Sequence, residues 1–516
     1  MSKSDIINVL KSCLDILRDN EALTGEKALR NLSYLLILKL IEPRIGNEID
    51  FNICEQFTDF DENIDLKSFN ILLNATKFSE LAKVKKGYMF SIFKGVWDIF
   101  LSTHPKTKII FPRVNDKFID IKNLTTLEKL VDKINNIDLS KCEYDVLGNS
   151  YEEVIKDVMT GKTLGQYFTQ PLIKNIMVDL INPKVYSDGK IESCGDPSMG
   201  TGGFLISYIS EIQKKAKEQN IQLDWEYIIQ NGIYGREIEA DTYQLGLSNM
   251  LISTGHLFNN IELSDSIRKP INYKVDIVMA NPPFGISGLN YDDFHYDEKD
   301  KVLPIKTKNA VSLFLQVIIS MLKINGRCAV VLPNGQELFS DNKEHVLIRE
   351  YLVKTCNLKK IINLPSGVFT YTNIKTCIMY FEKIKEMEEV LKVTEKGKTR
   401  KYEFIEEHET SEVEFYNYNE KLELIKKIDI ETLKSKNYIL NLDNYKEKEK
   451  VNYSSNVEIK KLGEVCEIDK GKRIVKSKCE EGKYPVIGGG DFTFYCNQYN
   501  REGKTCKISS DGISSH

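Results

Sequence analysis

Val275-Asp276-Ile277-Val278-Met279-Ala280-Asn281-Pro282-Pro283-Phe284 is the stretch on which the reading of this chain turns. Its apolar, β-branched run ends at an amide, two prolines and an aromatic ring, the pattern of a buried strand that delivers a stiff polar loop to the edge of a sheet. Asn281 and Pro282 each precede a proline and are pushed out of the helical region, so the loop cannot relax into a following helix. The carboxamide oxygen of Asn281 and the backbone carbonyl of Pro282 can then point the same way. Two acceptors side by side suit an NH2 group on a planar ring, and Phe284 offers that ring a stacking face. Such an amine is a poor nucleophile because its lone pair is delocalised. Accepting both N–H bonds favours a pyramidal nitrogen and stabilises the positive charge that grows on alkylation, which is oxyanion-hole logic with the sign reversed. Alone, the four residues are more often a proline-stiffened strand end, so the neighbouring segments decide.

Upstream, Gly165-Gln166-Tyr167-Phe168-Thr169-Gln170-Pro171 reads as a loop that closes before a helix beginning near Leu172. Then comes Asp196-Pro197-Ser198-Met199-Gly200-Thr201-Gly202-Gly203-Phe204, an acid at a strand end followed by a glycine turn and a helix start. Such a turn lets a nucleoside-bearing ligand approach the backbone closely. No G-K-[ST] closes it, so it is not a phosphate-cradling loop. Gly232-Ile233-Tyr234-Gly235-Arg236-Glu237 reads as a second strand ending in a carboxylate, where doubly wound folds hold ribose hydroxyls, and Glu237 is as readily a plain surface acid. Asp265 ends a third strand. Downstream, a helix over 312–324 stopping at Asn325-Gly326, then strands over 328–332, 358–364 and 376–381, complete an α/β alternation with its ligand at the carboxyl ends of the strands.

Four organisational segments follow. Residues 1–143 carry helical periodicity, with Ile7, Leu10, Leu14 and Leu17 and then Leu29, Leu32, Leu36 and Leu40 on single faces. The basic run Lys83-Val84-Lys85-Lys86 within it is read as a solvated face. Residues 144–385 hold the α/β core, residues 386–455 form a charged hairpin-and-helix connector, and residues 456–516 are β-rich and punctuated by glycine. With 516 residues and 41% hydrophobic side chains, several cores can be buried. Lys+Arg of 71 against Asp+Glu of 75 gives a net charge of −4, so any nucleic-acid contact must come from local patches. The 11 cysteines include no C-x-x-C pair and are read as reduced thiols, with no metal site expected even where Cys466, Cys479, Cys496 and Cys506 crowd together. No stretch reads as a signal peptide or a membrane span, and a cytoplasmic protein is expected.

Taken in order, these motifs resemble the modification subunit of type I restriction-modification systems, an N6-adenine DNA methyltransferase that uses S-adenosylmethionine. The resemblance runs from the helical start to about Phe381. It implies a Rossmann-like S-adenosylmethionine-dependent methyltransferase core with an N-terminal helical domain. Gln166, Tyr167, Phe168, Thr169, Gln170 and Pro171 would lie along the methionine part of the cofactor. Asp196, Gly200, Thr201, Gly202 and Gly203 would line its amino-acid end, with Glu237 on the ribose and Asp265 on the cofactor's adenine amine. Asn281, Pro282, Pro283 and Phe284 would grip a flipped target adenine in line with the sulfonium methyl. Two positions depart from the family pattern: Gln170 stands between Thr169 and the proline, and Met199 replaces a small residue or cysteine.

From Lys461 onward the chain resembles the beginning of a type I specificity subunit's target-recognition domain, here expected to be partial, with Lys470, Lys472 and Arg473 as phosphate contacts or solvated charges. The implied partners are double-stranded DNA, a specificity subunit, a restriction subunit for cleavage and a second methylase copy. Neither a helicase phosphate loop nor a nuclease constellation is present. Two other readings stand beside the leading one. The same acceptors fit an adenine in RNA or a protein glutamine amide, and a chain with a short recognition domain can serve as a non-catalytic DNA-binding or assembly partner.

Overall fold

The computed structural model describes residues 2–41, 120–137, 144–159, 169–269, 271–294, 299–365, 368, 374–396, 399–445, 460, 462–466, 479–487 and 492–499. Gln166, Tyr167, Phe168, the basic run at 83–86, Lys470, Lys472, Arg473 and Cys506 lie outside the described residues. The chain divides into two compact units, Met1–Lys446 and Glu447–His516.

The first unit is organised on a nine-stranded sheet. Its strands are β1 (Cys194–Asp196), β2 (Ile233–Glu237), β3 (Asn260–Leu263), β4 (Val275–Ala280), β5 (Leu322–Pro333), β6 (Cys356–Asn363), β7 (Thr376–Lys383), β10 (Glu412–Asn419) and β11 (Lys421–Asp429), while β8 (Leu391–Lys396) and β9 (Thr399–Phe404) form a separate hairpin. The order across the sheet is β11-β10-β6-β7-β5-β4-β1-β2-β3. Strands β3, β2, β1, β4 and β5 run parallel, and β7 runs against both β5 and β6. From β1 the chain proceeds outward to β2 and β3, then returns to the other side of β1 for β4 and β5. That reversal makes the carboxyl ends of β1 and β4 the crevice where doubly wound sheets bind ligands.

Sequence explains why β4 is central. Val275, Ile277, Val278, Met279 and Ala280 are fully buried, as expected of a parallel strand covered on both faces. Each such aliphatic side chain contributes about 1.5–3 kcal/mol by leaving water. The one acid in the strand, Asp276, is tied down by the N–H and hydroxyl of Ser193 at 2.8 and 2.7 Å and by the Lys323 ammonium at 2.8 Å. These contacts hold its carboxyl below the usual range against the opposing effect of burial.

Helices α1 (Lys3–Glu21), α2 (Gly25–Ile41), α3 (Leu124–Asn135) and α4 (Tyr144–Met159) make the helical part, whose apolar faces are buried as their periodicity predicts. Helices α5 (Pro171–Ile181), α6 (Gly203–Gln219), α7 (Ala240–Thr254), α8 (Ala310–Met321) and α9 (Lys343–Thr355) belong with the sheet. The helical part does not stand apart from the core. Helix α4 approaches α7 so closely that a Cβ on Gly148 would lie 2.5 Å from Ser253 Oγ.

Two expectations are adjusted here. Helix α8 stops at Met321, and β5 begins at once. Asn325, with φ of 63°, turns the chain inside that long strand instead of ending the helix. The charged stretch read as a hairpin-and-helix connector contains the β8–β9 hairpin and a short helix at Ile430–Ser435, and it also extends the sheet. Strand β10 pairs in parallel with β6, Phe415 opposite Ile361, and buries Val413 and Phe415 completely. Alternation of charged and apolar residues at 412–415 carries this half-buried pairing, while β11 leaves Leu422, Leu424 and Ile425 exposed, and the abundance of charge masked it.

In the second unit, β12 (Tyr484–Ile487) pairs with β13 (Phe492–Cys496) in an antiparallel hairpin. Among the described residues no helix is long and apolar enough to cross a membrane, and no group of three His, Cys, Asp or Glu side chains is arranged to hold a metal ion.

Candidate active site

Three turns meet at the carboxyl end of β1. Gly200 (φ 54°) and Gly202 (φ 78°) both occupy the left-handed region, which β-carbon-bearing residues rarely adopt. Gly202 has a second constraint, since a Cβ there would sit 2.9 Å from Met250 Cγ on α7. Other elements fasten the turn: Asn249 Nδ2 donates to the Thr201 carbonyl at 2.9 Å, and the Met199 N–H donates to the Arg236 carbonyl at 2.9 Å. The Gly200 N–H donates to Glu237 Oε2 at 3.0 Å. Ser266, beside Asp265, donates its hydroxyl to the Pro197 carbonyl at 2.6 Å. Asp196, Glu237 and Asp265 therefore belong to one bonded assembly.

Their electrostatics differ. Asp196 is buried, with Oδ1 accepting from the Ser198 N–H at 2.9 Å and Oδ2 enclosed without any hydrogen-bond partner. Burial pushes its carboxyl up to about 8, and the nearby Glu237 charge adds to the rise. Glu237 accepts three backbone N–H groups, from Gly200, Ile238 and Glu239. Burial nonetheless outweighs those bonds and raises its pKa. Asp265 is the most locally engaged, accepting from the Ile267 and Arg268 N–H groups at 2.8 and 2.9 Å and pairing with the Arg268 guanidinium at 3.0 Å.

Asn281 follows β4 directly and is 8% exposed. Its Nδ2 donates to Thr169 Oγ1 at 3.1 Å, while Oδ1 is buried with no partner. Leaving a buried acceptor unpaired costs about 1–3 kcal/mol, which a bound ligand or a water would offset. Pro282 is buried and Phe284 is 5% exposed within the core cluster. The acceptor oxygen of Asn281 and the Phe284 stacking face expected from the sequence are both enclosed here. Gly285 (φ 74°) and Gly288 (φ 82°) follow, with open space at both positions and Ile286 exposed between them.

Both departures from the family pattern have structural accounts. Gln170 is the N-cap of α5 and Pro171 its first residue, where a fixed φ suits helix initiation. Met199 is buried in a slot that exists because Gly235 and Gly246 lack side chains: a Cβ on either would lie 2.7 and 2.9 Å from its thioether. Sequence reasoning missed Gly246 and Asn249, which brace the turn from α7, and the Thr169–Asn281 bond. It also missed the buried ion pair of Lys174 with Glu152, which packs against Gly203. A glycine in mid-helix and a lysine inside the apolar run Leu172-Ile173-Lys174-Asn175-Ile176 were the available signals.

A mostly parallel sheet in which β7 and β11 are reversed, a glycine turn after β1 and an acceptor loop after β4 define a Rossmann-like methyltransferase built to act on an exocyclic amine. The chain belongs to the N-6 DNA Methylase family, whose family model matches residues 142–453, and a model for the type I restriction modification DNA specificity domain matches residues 454–515. Its relatives include the type I restriction enzyme EcoEI methylase subunit of Escherichia coli, 30% identical over 394 residues, covering 75% of this chain and 76% of that protein. The EcoKI methylase subunit of E. coli strain K12 is 32% identical over 295 residues, 53% of this chain and 51% of that one. Among solved structures, the type I restriction-modification methyltransferase subunit from Streptococcus thermophilus aligns with a TM-score of 0.61 at 16% identity, covering 86% of this chain and 99% of that one. A chain from a structure of a type I R-M system aligns equally well, with a TM-score of 0.61 at 18% identity over 90% of this chain and 94% of its own. At those identities the structures establish the shared fold. The chain is thus an adenine-specific DNA methyltransferase of the type I modification kind.

Proposed function

We propose that the chain uses S-adenosylmethionine as donor, binds it at the turn after β1, and presents a flipped adenine of double-stranded DNA to it from the Asn281 loop. The observation that carries this reading is the unpaired, buried Asn281 Oδ1 at the carboxyl end of β4, next to the strand whose own end bears the unpaired Asp196 Oδ2. The donor fits the residues present. Asp196 Oδ2 is an acceptor suited to the ammonium of its amino-acid part, and among the described residues nothing beyond Gly200's own chain neighbours comes within 4 Å of where a Cβ on it would stand. When bound, the donor supplies a methyl carbon attached to a positively charged sulfur.

Asn281 Oδ1 and the Pro282 carbonyl accept the two N–H bonds of the adenine amine and hold its lone pair toward that carbon. The amine nitrogen held by these two acceptors would take that carbon, the carbon–sulfur bonding pair going to sulfur. The nitrogen would then pass one proton to solvent water, the carbonyl acceptors stabilising its charge until it does. Glu237 holds the turn through the Gly200 N–H while its remaining lone pairs take the ribose hydroxyls. Asp265, through its free lone pairs, takes the donor's adenine amine, and the segment at 166–171 covers the methionine part. Because Asn281 Oδ1 and Phe284 are enclosed, the base is admitted when the loop opens about Gly285 and Gly288.

The reading includes work in the cytoplasm with a specificity subunit, a second methylase copy and a restriction subunit that performs cleavage. The specificity-domain match at residues 454–515 supports the first of these. A label-transfer assay with methyl-tritiated S-adenosylmethionine on duplex DNA, RNA and cell protein tests the substrate. Label in DNA adenine is expected; label confined to RNA or to protein overturns the proposal.

A further inference from the structure

The bond between Thr169 and Asn281 joins two motifs that are 112 residues apart in sequence, and it bears on the chemistry of the amide. We infer that Thr169 is a positioning residue for methyl transfer, its hydroxyl oxygen anchoring the Asn281 carboxamide in the plane that presents Oδ1 to the target amine. The inference rests on the proposed role of Asn281.

An asparagine side chain has two ends of nearly equal size and opposite hydrogen-bonding character. If Oδ1 faces an incoming amine, donor meets acceptor; if Nδ2 faces it, donor meets donor. In this structure Nδ2 is spent on Thr169 Oγ1 at 3.1 Å and Oδ1 is left enclosed without a partner. A hydroxyl can satisfy either end of an amide, so it does not by itself forbid a flip. What it fixes is the rotamer: either way the amide plane stays aligned with Thr169, and the arriving amine selects the arrangement in which both ends are paired. Without the hydroxyl oxygen, Nδ2 becomes a buried donor with nothing to accept from it. The amide then gains by turning toward another acceptor, and the amine loses its preformed partner. Thr169 also sits immediately before the Gln170 cap of α5, a helix whose first residues the chain cannot shift without moving Lys174 and its ion pair to Glu152. The anchor is therefore held from behind.

The test uses the full chain together with its specificity partner and a pool of unmethylated random-sequence duplexes, with Thr169→Val, Thr169→Ser and Asn281→Ala beside the wild type. Valine keeps the shape and removes the acceptor; serine keeps the acceptor. The maximal transfer rate of Thr169→Val is expected to fall roughly 10–100-fold, the loss associated with one hydrogen bond held only in the correct geometry. Its dissociation constant for S-adenosylmethionine, read by equilibrium dialysis, should rise by less than the rate falls, because Thr169 also lies in the segment over the donor, and Thr169→Ser should recover most of the rate. A Thr169→Val rate equal to wild type overturns the inference. So does a loss of donor binding that matches the loss of rate and is not rescued by serine, because Thr169 would then act on the donor. If the wild-type chain transfers no methyl to adenine, or if Asn281→Ala is fully active, the underlying reading of Asn281 fails, and the inference fails with it.

Discussion

The backbone N–H of Gly200 donates to the carboxylate of Glu237 at 3.0 Å, so the turn after β1 and the end of β2 move as one piece. The same carboxylate accepts from Ile238 and Glu239, both at 2.9 Å. Glutamine keeps the shape but points an NH2 group at one of these donors. Glu237→Gln is expected to cost about 0.5–1.5 kcal/mol of stability in urea unfolding, because a partly buried or exposed N–H loses its acceptor. Donor affinity should fall about tenfold or more alongside it, measured by equilibrium dialysis, since turn and ribose contact are disturbed together. A variant with wild-type stability and affinity would show that the two strand ends are not coupled.

Asp196 makes donor binding depend on pH. Its folded-state pKa of about 8 lies above the ordinary carboxyl value of 3.8. Between those limits the folded chain retains a proton that the unfolded chain has released, so this residue's effect on stability worsens as pH rises from about 4 to about 8 and is constant outside that window. Binding an ammonium requires the ionised form. Donor affinity is accordingly expected to rise as pH approaches about 8 and to fall again once the donor's own ammonium loses its proton. Asp196→Asn should flatten both profiles, raising the melting temperature at pH 8.5 while weakening donor binding. Equal pH dependence in variant and wild type contradicts the assignment.

Gly246 lies in the middle of α7, where glycine normally weakens a helix by about 0.5–1 kcal/mol relative to alanine. A Cβ there would stand 2.7 Å from the Gly200 carbonyl and 2.9 Å from Met199 Cε. Gly246→Ala is therefore expected to destabilise by about 1–3 kcal/mol through overpacking, reversing the usual helix preference, and to weaken donor binding by displacing the turn. Adding Met199→Ala relieves only the side-chain contact, so the backbone clash should keep the double variant below wild type in thermal unfolding. A stabilised Gly246→Ala would mean that the turn and α7 are further apart than they are here.

Legibility in the sequence followed the length scale of each constraint. The strand leading to Asn281, the acid-glycine turn at 196–203 and the strand ending at Glu237 are written in contiguous residues, and each stands where its local pattern placed it. The parallel order and the reversed β7 depend on pairing across the chain and left no local mark. Strand β10 was hidden because its buried residues, Val413 and Phe415, alternate with charged and polar neighbours in a stretch dominated by Glu and Lys. The bracing of the turn by Gly246 and Asn249, and of Asn281 by Thr169, joins positions far apart in sequence, which no spacing rule encodes. The enclosure of Phe284 in the core was also beyond reach, because the residue type that stacks on a base is the one that packs on aliphatic side chains when no base is present.

The central claim is that the Asn281 carboxamide oxygen receives the amine of a target adenine. Mass spectrometry of nucleosides from the DNA of cells carrying the full chain with its specificity partner tests this most directly, comparing wild type with Asn281→Ala. The expected result is N6-methyladenine with the wild type and a loss of about 100-fold or more in the variant's transfer rate, the size seen when one preorganised transition-state contact is removed. The variant should still fold, since it removes a buried acceptor without a partner among the described residues together with a single side-chain hydrogen bond to Thr169. Undiminished N6-methyladenine with Asn281→Ala, in a variant that still binds S-adenosylmethionine, would contradict the account.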